Sequence, residues 1–437
     1  MNTIKFSTEK IVGKIKPMHA VNNGPAHHYG TDNFELFKAA GIPFARNHDA
    51  SFAAAYGGSH TVDISAVFPN FDADVNDPAS YDFPCTDKYV SECFSVGAKV
   101  FYRLGNRIEH EVKKYHIYAP KDPFKWAQIC EHIIRHYTEG WADGFNYDLI
   151  YWEIWNEPDL HGKCWIGTDE QFFELYDITA KHLKACFPNI KVGGPAVTGP
   201  QKVYNENFLA YVKEHGSPMD FFSYHCYGTC PEDYTRRINA VNELIHKYGF
   251  ECEKILNEWN YVKAWGGEDF VYSLNQHSNI KGASFVASVI ALGQKSELDM
   301  LMYYDARPGT RWNGMFDMES KPLKGYYPFY FFNKLYEMAN ETESVVDGEK
   351  IYAVSASGSG KKGFFIVSYN DDDSITDKVT FKAEISGLSG NTKLSYYLVD
   401  EANSGELIRE ETTSAETYSP ILSVSKNSII YIEAEDI

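Results

Sequence analysis

From about residue 10 to residue 340, short apolar runs alternate with longer stretches whose apolar residues recur at three- and four-residue steps. The runs KIKPMHAV (14–21), IPFARNH (42–48), AKVFYRL (98–104), LIYWEIWNE (149–157), IKVGGP (190–195), DFFSYHCY (220–227), EKILNEWN (253–260) and DMLMYYDA (299–306) read as strands. The stretches between them, among them WAQICEHIIRHYTEG (126–140), QFFELYDITAKHLKACF (171–187) and YTRRINAVNELIHKYG (234–249), read as helices that stop near Gly or Pro. Such alternation predicts βα units on a parallel sheet, and eight strands close a ring, so the α/β fold expected over residues 10–340 is a (β/α)8 TIM barrel. An open doubly wound sheet alternates in the same way but wants a glycine-rich turn after its first strand. The turn here reads VNNGPAHH and carries no dinucleotide fingerprint.

The texture changes after the last helical stretch, KGYYPFYFFNKLYEMAN (324–340). IYAVSAS, GFFIVSYN, KVTFKAEI, KLSYYLVD and SIIYIEAE alternate with period two between Gly, Asn, Asp and Ser turns, which predicts a C-terminal antiparallel β-sandwich over residues 341–437. The opening TIKFS alternates too, so residues 1–9 are expected to pair with that domain, and DDD at 371–373 reads as a turn.

Composition narrows the partners. The chain has 437 residues, enough for a large barrel and a second domain. Aromatic residues make up 15% of it, a stock suited to stacking on ligands. A formal net charge of -19 repels polyanions, so neither nucleic acid nor an acidic membrane face is an expected partner. No apolar run is long enough to span a bilayer, and MNTIKFSTEKIVGKIKP lacks the apolar core and cleavage site of a secretion signal, which reads as a cytoplasmic protein. Eight cysteines lie between Cys85 and Cys252, with Cys226 and Cys230 the one close pair. In a cytosolic chain most of these are small buried hydrophobes, and without further ligand spacing no metal or cofactor is expected.

Barrel sites are built where strands hand over to loops at their C-terminal ends. Polar residues gather at those points: Arg46, His48 and Asp49; Asn156 and Glu157; His225 and Tyr227; Glu258 and Asn260; Asp305 and Arg307. Glu157 and Glu258 sit on strands four and seven, which face each other across an eight-stranded ring. Two carboxyl groups so placed supply what cleavage of a glycoside needs, an acid for the leaving oxygen and an ionised group for the sugar carbon. The apolar residues of YWEIWNEPDL around Glu157 favour its protonated form. A lone strand-end glutamate is often a solvated turn residue; the conjunction of WEIWNEP, NEWN and Arg46 selects the catalytic reading. Glu153 falls on the same strand face as Glu157 but deeper, which suits a structural hydrogen bond, and Pro158 ends the strand.

Through WNEP, NEWN and the appended sandwich, the chain resembles clan A of the glycoside hydrolases and within it family 39, the β-xylosidase and α-L-iduronidase family. The resemblance covers essentially the whole chain. It implies a retaining double displacement, with Glu157 as general acid/base and Glu258 as nucleophile. It further implies Asn156 on the sugar hydroxyl next to the reacting carbon, Arg46 and Tyr227 holding the nucleophile ionised and oriented, and His225 lining the donor subsite. Small oligosaccharides of neutral pentoses such as xylose or arabinose are the implied substrates. The family more often carries its seventh-strand glutamate in a Thr-Glu-Tyr-like context, where this chain has LNEWN. A retaining mechanism predicts carboxyl groups about 5–5.5 Å apart.

Loop residues are expected to choose the sugar. His48 and Asp49 are placed to grip hydroxyls, and Asp305 is counted with them. His27 and His28 either touch sugar or stay solvated, and Glu109 and His110 either reach the mouth or stay exposed. Trp312, on a Gly-flanked loop, serves as a stacking platform or as a lid packed on the barrel. Arg307 and Arg311 keep a uronic-acid sugar open, since a carboxylate wants a bidentate cation, although Arg307 can equally pair with Asp305. A transglycosidase would use the same two glutamates, whereas a silent carbohydrate-binding barrel would normally have lost one.

Overall fold

The computed structural model describes residues 2–28, 30–48, 62–105, 114 and 116–437. Eight parallel strands close into a barrel in chain order: Ala20–Asn22, Phe44–Arg46, Lys99–Leu104, Tyr151–Ile154, Lys191–Val197, Phe221–Gly228, Glu253–Tyr261 and Met300–Tyr303. Each overlaps one of the apolar runs. Inside the ring, Ala20, Phe101, Tyr151, Phe221, Ile255, Met300 and Met302 form a buried apolar layer. Side chains repeat on one strand face every second residue, so the next layer toward the C-terminal end holds Asn22, Glu153, Ser223 and Asn257, with Arg46 two residues after Phe44. Every member of that polar layer is buried.

The helices begin earlier than their apolar periodicity suggests, because the caps lie upstream of the first apolar residue. Helix Pro123–Glu139 starts on Asp122, whose carboxylate accepts from the Phe124 and Lys125 amides at 3.0 Å, and stops at Gly140 with φ 74°. Helix Asp169–Cys186 starts on a capping box between Thr168 and Gln171.

The second domain is one ten-stranded sheet. Strand Asn2–Lys14 lies within it, antiparallel to Asn340–Asp347 and parallel to Val379–Ser386. The expected sheet is thus mixed at one pair, and its N-terminal strand runs five residues past residue 9. The run read as the first barrel strand therefore divides: Lys14 belongs to the sheet, Ala20 to the barrel. Pro17, which cannot donate to a ladder, falls between them. Ile4, Phe6, Phe364, Phe381, Tyr396 and Ile432 share the core of this sheet.

Helix Ile280–Gln294 is buried on nearly every side, since its outer face is covered by the sheet. At its start the Lys281 ammonium lies 2.9 Å from Asp371 and 3.0 Å from Asp373, and the Tyr261 hydroxyl donates to Asp371 at 2.7 Å. The DDD turn is therefore also a clasp on the barrel, at the end of the strand that carries Glu258.

Candidate active site

Strand four ends at Ile154, and the chain then turns sharply. Trp155 and Glu157 have φ of 71° and 48°, in the left-handed region that side chains adopt only under constraint. The constraints are visible: the Trp155 indole donates to the Cys164 carbonyl at 2.9 Å, and the Glu157 amide donates to the Ala196 carbonyl at 2.9 Å. This turn, rather than Pro158, lifts Glu157 to the rim.

On strand seven the register against strand six shifts between Leu256 and Glu258. Asn257 is the extra residue of this bulge, and bulges re-aim side chains. Without it Glu258 would alternate to the outside of the ring, because Ile255 and Asn257 already occupy the inward positions. With it, Asn257 donates to Glu153 and Glu258 enters the mouth.

Arg46 holds two glutamates and two asparagines in one frame. Its Nε donates to Glu153 at 2.7 Å, Nη1 to Glu258 at 2.8 Å and to Asn22 at 3.1 Å, and Nη2 to Asn156 at 2.7 Å. Ser223 and Asn257 donate to the other Glu153 oxygen at 2.6 and 2.5 Å. Glu153 is therefore a support beneath the site, and Arg46, with no exposed surface, reaches the substrate space only through its partners. Glu258 also accepts from the Tyr227 hydroxyl at 2.8 Å, and His48 Nε2 lies 3.1 Å from it. His48 is set in place from strand three, where buried Arg103 donates to the His48 carbonyl at 3.0 Å and pairs with Asp63 at 2.5 Å.

His225 stands between the carboxylates, with Nδ1 2.8 Å from Glu157 and 3.4 Å from Glu258. One oxygen of each glutamate and a ring nitrogen of His225 all lie within 4.8 Å of one another. The environments differ. Glu157 keeps 17% of its side chain exposed and Glu258 only 6%, so the first faces the open side of the cleft. Burial pushes the Glu258 carboxyl above its ordinary range and Glu157 adds to this, while His225, Arg46 and the Tyr227 hydroxyl pull it back. Burial lowers His225, which stays a neutral imidazole: its Nδ1 can donate to an ionised Glu157 or accept from a protonated one. Burial first, then the Glu258 charge, raise the Tyr227 phenol, so it remains a donor. This cluster could ligate a cation by residue type, but the fixed guanidinium charge 2.8 Å from Glu258 opposes one.

Several other expected contacts sit elsewhere. Asp305 has no exposed surface and is bonded to Asn23, Thr310 and Arg307, so it closes its own loop instead of gripping a hydroxyl. His27 lies 3.3 Å from Glu92, on a two-stranded ribbon, with its ring tilted against Phe34. Arg311 is exposed and donates to Asn275 at 2.5 Å. Trp312 is half-buried against Tyr227 and Tyr304, at 6.0 and 5.6 Å between ring centres. Asp49, Glu109, His110 and the His28 side chain lie outside the described residues.

Sequence reading missed Asn22, Cys164 and Trp265. The Cys164 thiol donates to Glu157 at 3.5 Å, and nothing in its seven-residue spacing from Glu157 signals this. Trp265 is 67% exposed and sits edge-on to Tyr227 at 5.1 Å. Its setting in KAWGGED, just past strand seven, matches the Gly-flanked setting of Trp312 and was the available signal.

A parallel barrel with glutamates from strands four and seven meeting over its C-terminal mouth defines the class: a clan A glycoside-hydrolase fold. The model of Glycosyl hydrolases family 39 matches residues 45–295, and the chain belongs to that family. It is similar to a beta-xylosidase from Geobacillus stearothermophilus, 24% identical over 288 residues, covering 59% of this chain and 54% of the relative. A beta-xylosidase from Caldicellulosiruptor saccharolyticus is 29% identical over 175 residues, covering 38% of this chain and 34% of the relative. The chain thus spans about half the length, or less, of these curated relatives. Among solved structures, a glucosidase from Croceicoccus marinus superposes with a TM-score of 0.83 at 23% identity, covering 100% of this chain and 99% of that one.

Proposed function

We propose that this chain is a retaining glycosidase acting on a small neutral glycoside, with xylose the first sugar to test. The observation that carries the reading is the carboxylate pair, with one oxygen of each within 4.8 Å of the other, one member partly exposed and the other buried against a guanidinium and a phenol. A gap of that size suits direct attack; the inverting arrangement leaves room for a water at about 6.5–9.5 Å. Glu258 attacks the anomeric carbon while Glu157 gives its proton to the leaving oxygen. Glu157 then takes a proton from the water that breaks the glycosyl ester. His225 follows the Glu157 proton, because its neutral ring can serve either form. The Asn156 side-chain nitrogen is buried without a protein partner, which leaves a donor for the sugar hydroxyl beside the reacting carbon. A neutral sugar is favoured over a uronic acid because Arg307 is paired with Asp305 at 3.0 Å and Arg46 is enclosed beneath Glu258. Xylose comes from the two relatives named beta-xylosidase.

The test is a panel of nitrophenyl glycosides, the β-xyloside, α-arabinosides, β-glucoside, β-galactoside and α-iduronide, run beside two variants. Glu258→Ala is expected to lower turnover by at least about a thousandfold, with azide restoring part of it as a glycosyl azide of inverted configuration. Glu157→Gln is expected to slow substrates with poor leaving groups far more than those with good ones. An uninverted azide product, or Glu258→Ala retaining wild-type turnover, would overturn the nucleophile role.

A further inference from the structure

Two tryptophans follow strands seven and eight on loops flanked by glycine, and the fold uses them differently. Trp312 is the inner one. Its half-buried ring sits among Tyr227, Tyr304, Phe270 and His277, with ring centres 5.6–6.0 Å away, so packing already takes up much of its surface. Trp265 is the outer one. It meets Tyr227 at 5.1 Å, Trp312 at 6.0 Å and Phe270 at 6.4 Å, yet stays 67% exposed, enough to offer a whole ring face to a ligand. A tryptophan is among the side chains that folding gains most by burying, so one left this open at the mouth of a cleft marks a surface that a ligand covers.

The ring is exposed but held. Two residues before it, the Lys263 amide donates to the Ser273 hydroxyl at 2.8 Å, and the Lys263 ammonium pairs with Asp269 at 2.9 Å. Two residues after it, Gly267 turns the chain into helix Gly267–Gln276 with φ 68°, in the left-handed region that glycine tolerates. A loop fixed on both sides of its aromatic residue loses little freedom when a ligand settles on it.

Tyr227 relates this ring to the chemistry. Its hydroxyl donates to Glu258 at 2.8 Å and its ring meets Trp265, so one tyrosine ring separates Trp265 from the nucleophile. A pyranose bound over Glu258 has about the reach of that ring, which brings the next unit of the substrate to Trp265. Exposure rises in the same direction, from 6% at Glu258 to 67% at Trp265, so that next unit lies on the open side. Glu157, the more exposed of the two carboxylates, delivers its proton toward the same side. A pyranose shows C–H bonds on its faces, which pack flat on an aromatic plane while the hydroxyls around its edge stay in water.

On the glycosidase reading above, we infer that Trp265 is the platform for the leaving sugar. The second ring of a neutral disaccharide stacks on it while Glu157 protonates the oxygen between the two rings, so glycosides whose leaving group is itself a sugar ring are preferred. Trp312 braces the platform from behind and does not itself stack on the substrate.

The experiment compares, on the full chain, a disaccharide and a glycosyl fluoride of the sugar that the nitrophenyl panel selects, xylobiose and xylosyl fluoride in the first instance. The fluoride has no ring in the leaving position, so the ratio of the two kcat/KM values reads that position and does not depend on how much of a variant is folded. Trp265→Ala is expected to lower the ratio at least about tenfold, the size of a stacking contact, and Trp265→Phe to restore most of it. Binding is read without turnover by titrating Glu157→Gln with xylobiose and with xylose in a calorimeter. Adding Trp265→Ala is expected to weaken the disaccharide about tenfold and xylose far less. An unchanged ratio would overturn the platform, whether both substrates hold their rates or both lose them equally. If no glycoside is turned over, the glycosidase reading falls and the titration decides alone: no binding of the disaccharide, or binding that Trp265→Ala leaves as tight, would overturn the platform. A dimer that Trp265→Ala dissociates with the ratio unchanged would make the ring a contact between copies of the chain, and would overturn it equally.

Discussion

Arg46 is the residue on which the active-site geometry turns, and its partner Glu153 shows why. A buried guanidinium is tolerable only when carboxylates and amides surround it, and Arg46 finds two glutamates and two asparagines. Glu153→Gln is expected to destabilise the fold by about 3 kcal/mol, since removing one partner of a buried pair leaves the other uncompensated. The loss should appear as a lower urea midpoint at unchanged slope, together with reduced turnover as Glu258 loses its anchor. Tyr227→Phe probes the nucleophile itself. The hydroxyl donates to Glu258 and lowers its pKa, so removing it raises that pKa further. A hydrogen bond to a charged group contributes about 1.5–3 kcal/mol, or roughly one to two pH units. The acidic limb of kcat/KM, which needs Glu258 ionised, is therefore expected to move to higher pH by that amount.

Individual elements carry local departures that serve the site. The bulge at Asn257 and the left-handed turn at Trp155 and Glu157 each break a strand where regular alternation would aim a carboxylate wrongly. A different element governs acid stability. His19, just before the first barrel strand, is fully buried against Phe332 and Tyr336 of helix Tyr327–Met338, with Nε2 3.2 Å from the Gly41 carbonyl. Burial lowers its pKa from 6.5 to about 4. Between those values the unfolded chain binds a proton that the folded one refuses, so stability is complete above pH 6.5 and declines as pH falls to about 4. The slope is worth about 3 kcal/mol at 1.36 kcal/mol per unit. His19→Gln is expected to flatten the dependence of unfolding free energy on pH across that window; an unchanged slope would assign the acid sensitivity to other groups.

In the whole molecule, the sheet packs along helix Ile280–Gln294 of the barrel, and two fastenings stand out beside that contact. Strand Asn2–Lys14 ties the chain start to the strand that follows the last helix, and the 371–373 turn holds Lys281 and Tyr261. Lys281 is buried, whereas Asp371 and Asp373 keep 38% and 63% exposure. The asymmetry decides which half of the clasp matters. Replacing both aspartates by alanine leaves a buried ammonium held by the Tyr272 hydroxyl and the residue-371 carbonyl alone, and is expected to cost about 2–3 kcal/mol. Thermal unfolding of that double variant should broaden or split as barrel and sheet lose cooperativity. Lys281→Met, which leaves two solvated carboxylates, should cost less.

The chain's own pattern determined the number and order of barrel strands, because a strand covered on both faces must be apolar almost throughout and a run of that kind is visible without any partner. It also singled out Glu157, Glu258, Arg46 and Tyr227, which lie at strand ends and so at one mouth of any ring. Closure of the ring decided what those residues touch. Glu153 meets Arg46 across 107 positions and Tyr227 meets Glu258 across 31, distances that no local period encodes. It also turned Asp305 inward to its loop and His27 toward Glu92, and it packed Trp312 among other rings while leaving Trp265 open. Periodicity records which side of an element is buried; only the packed chain records what is buried beside it.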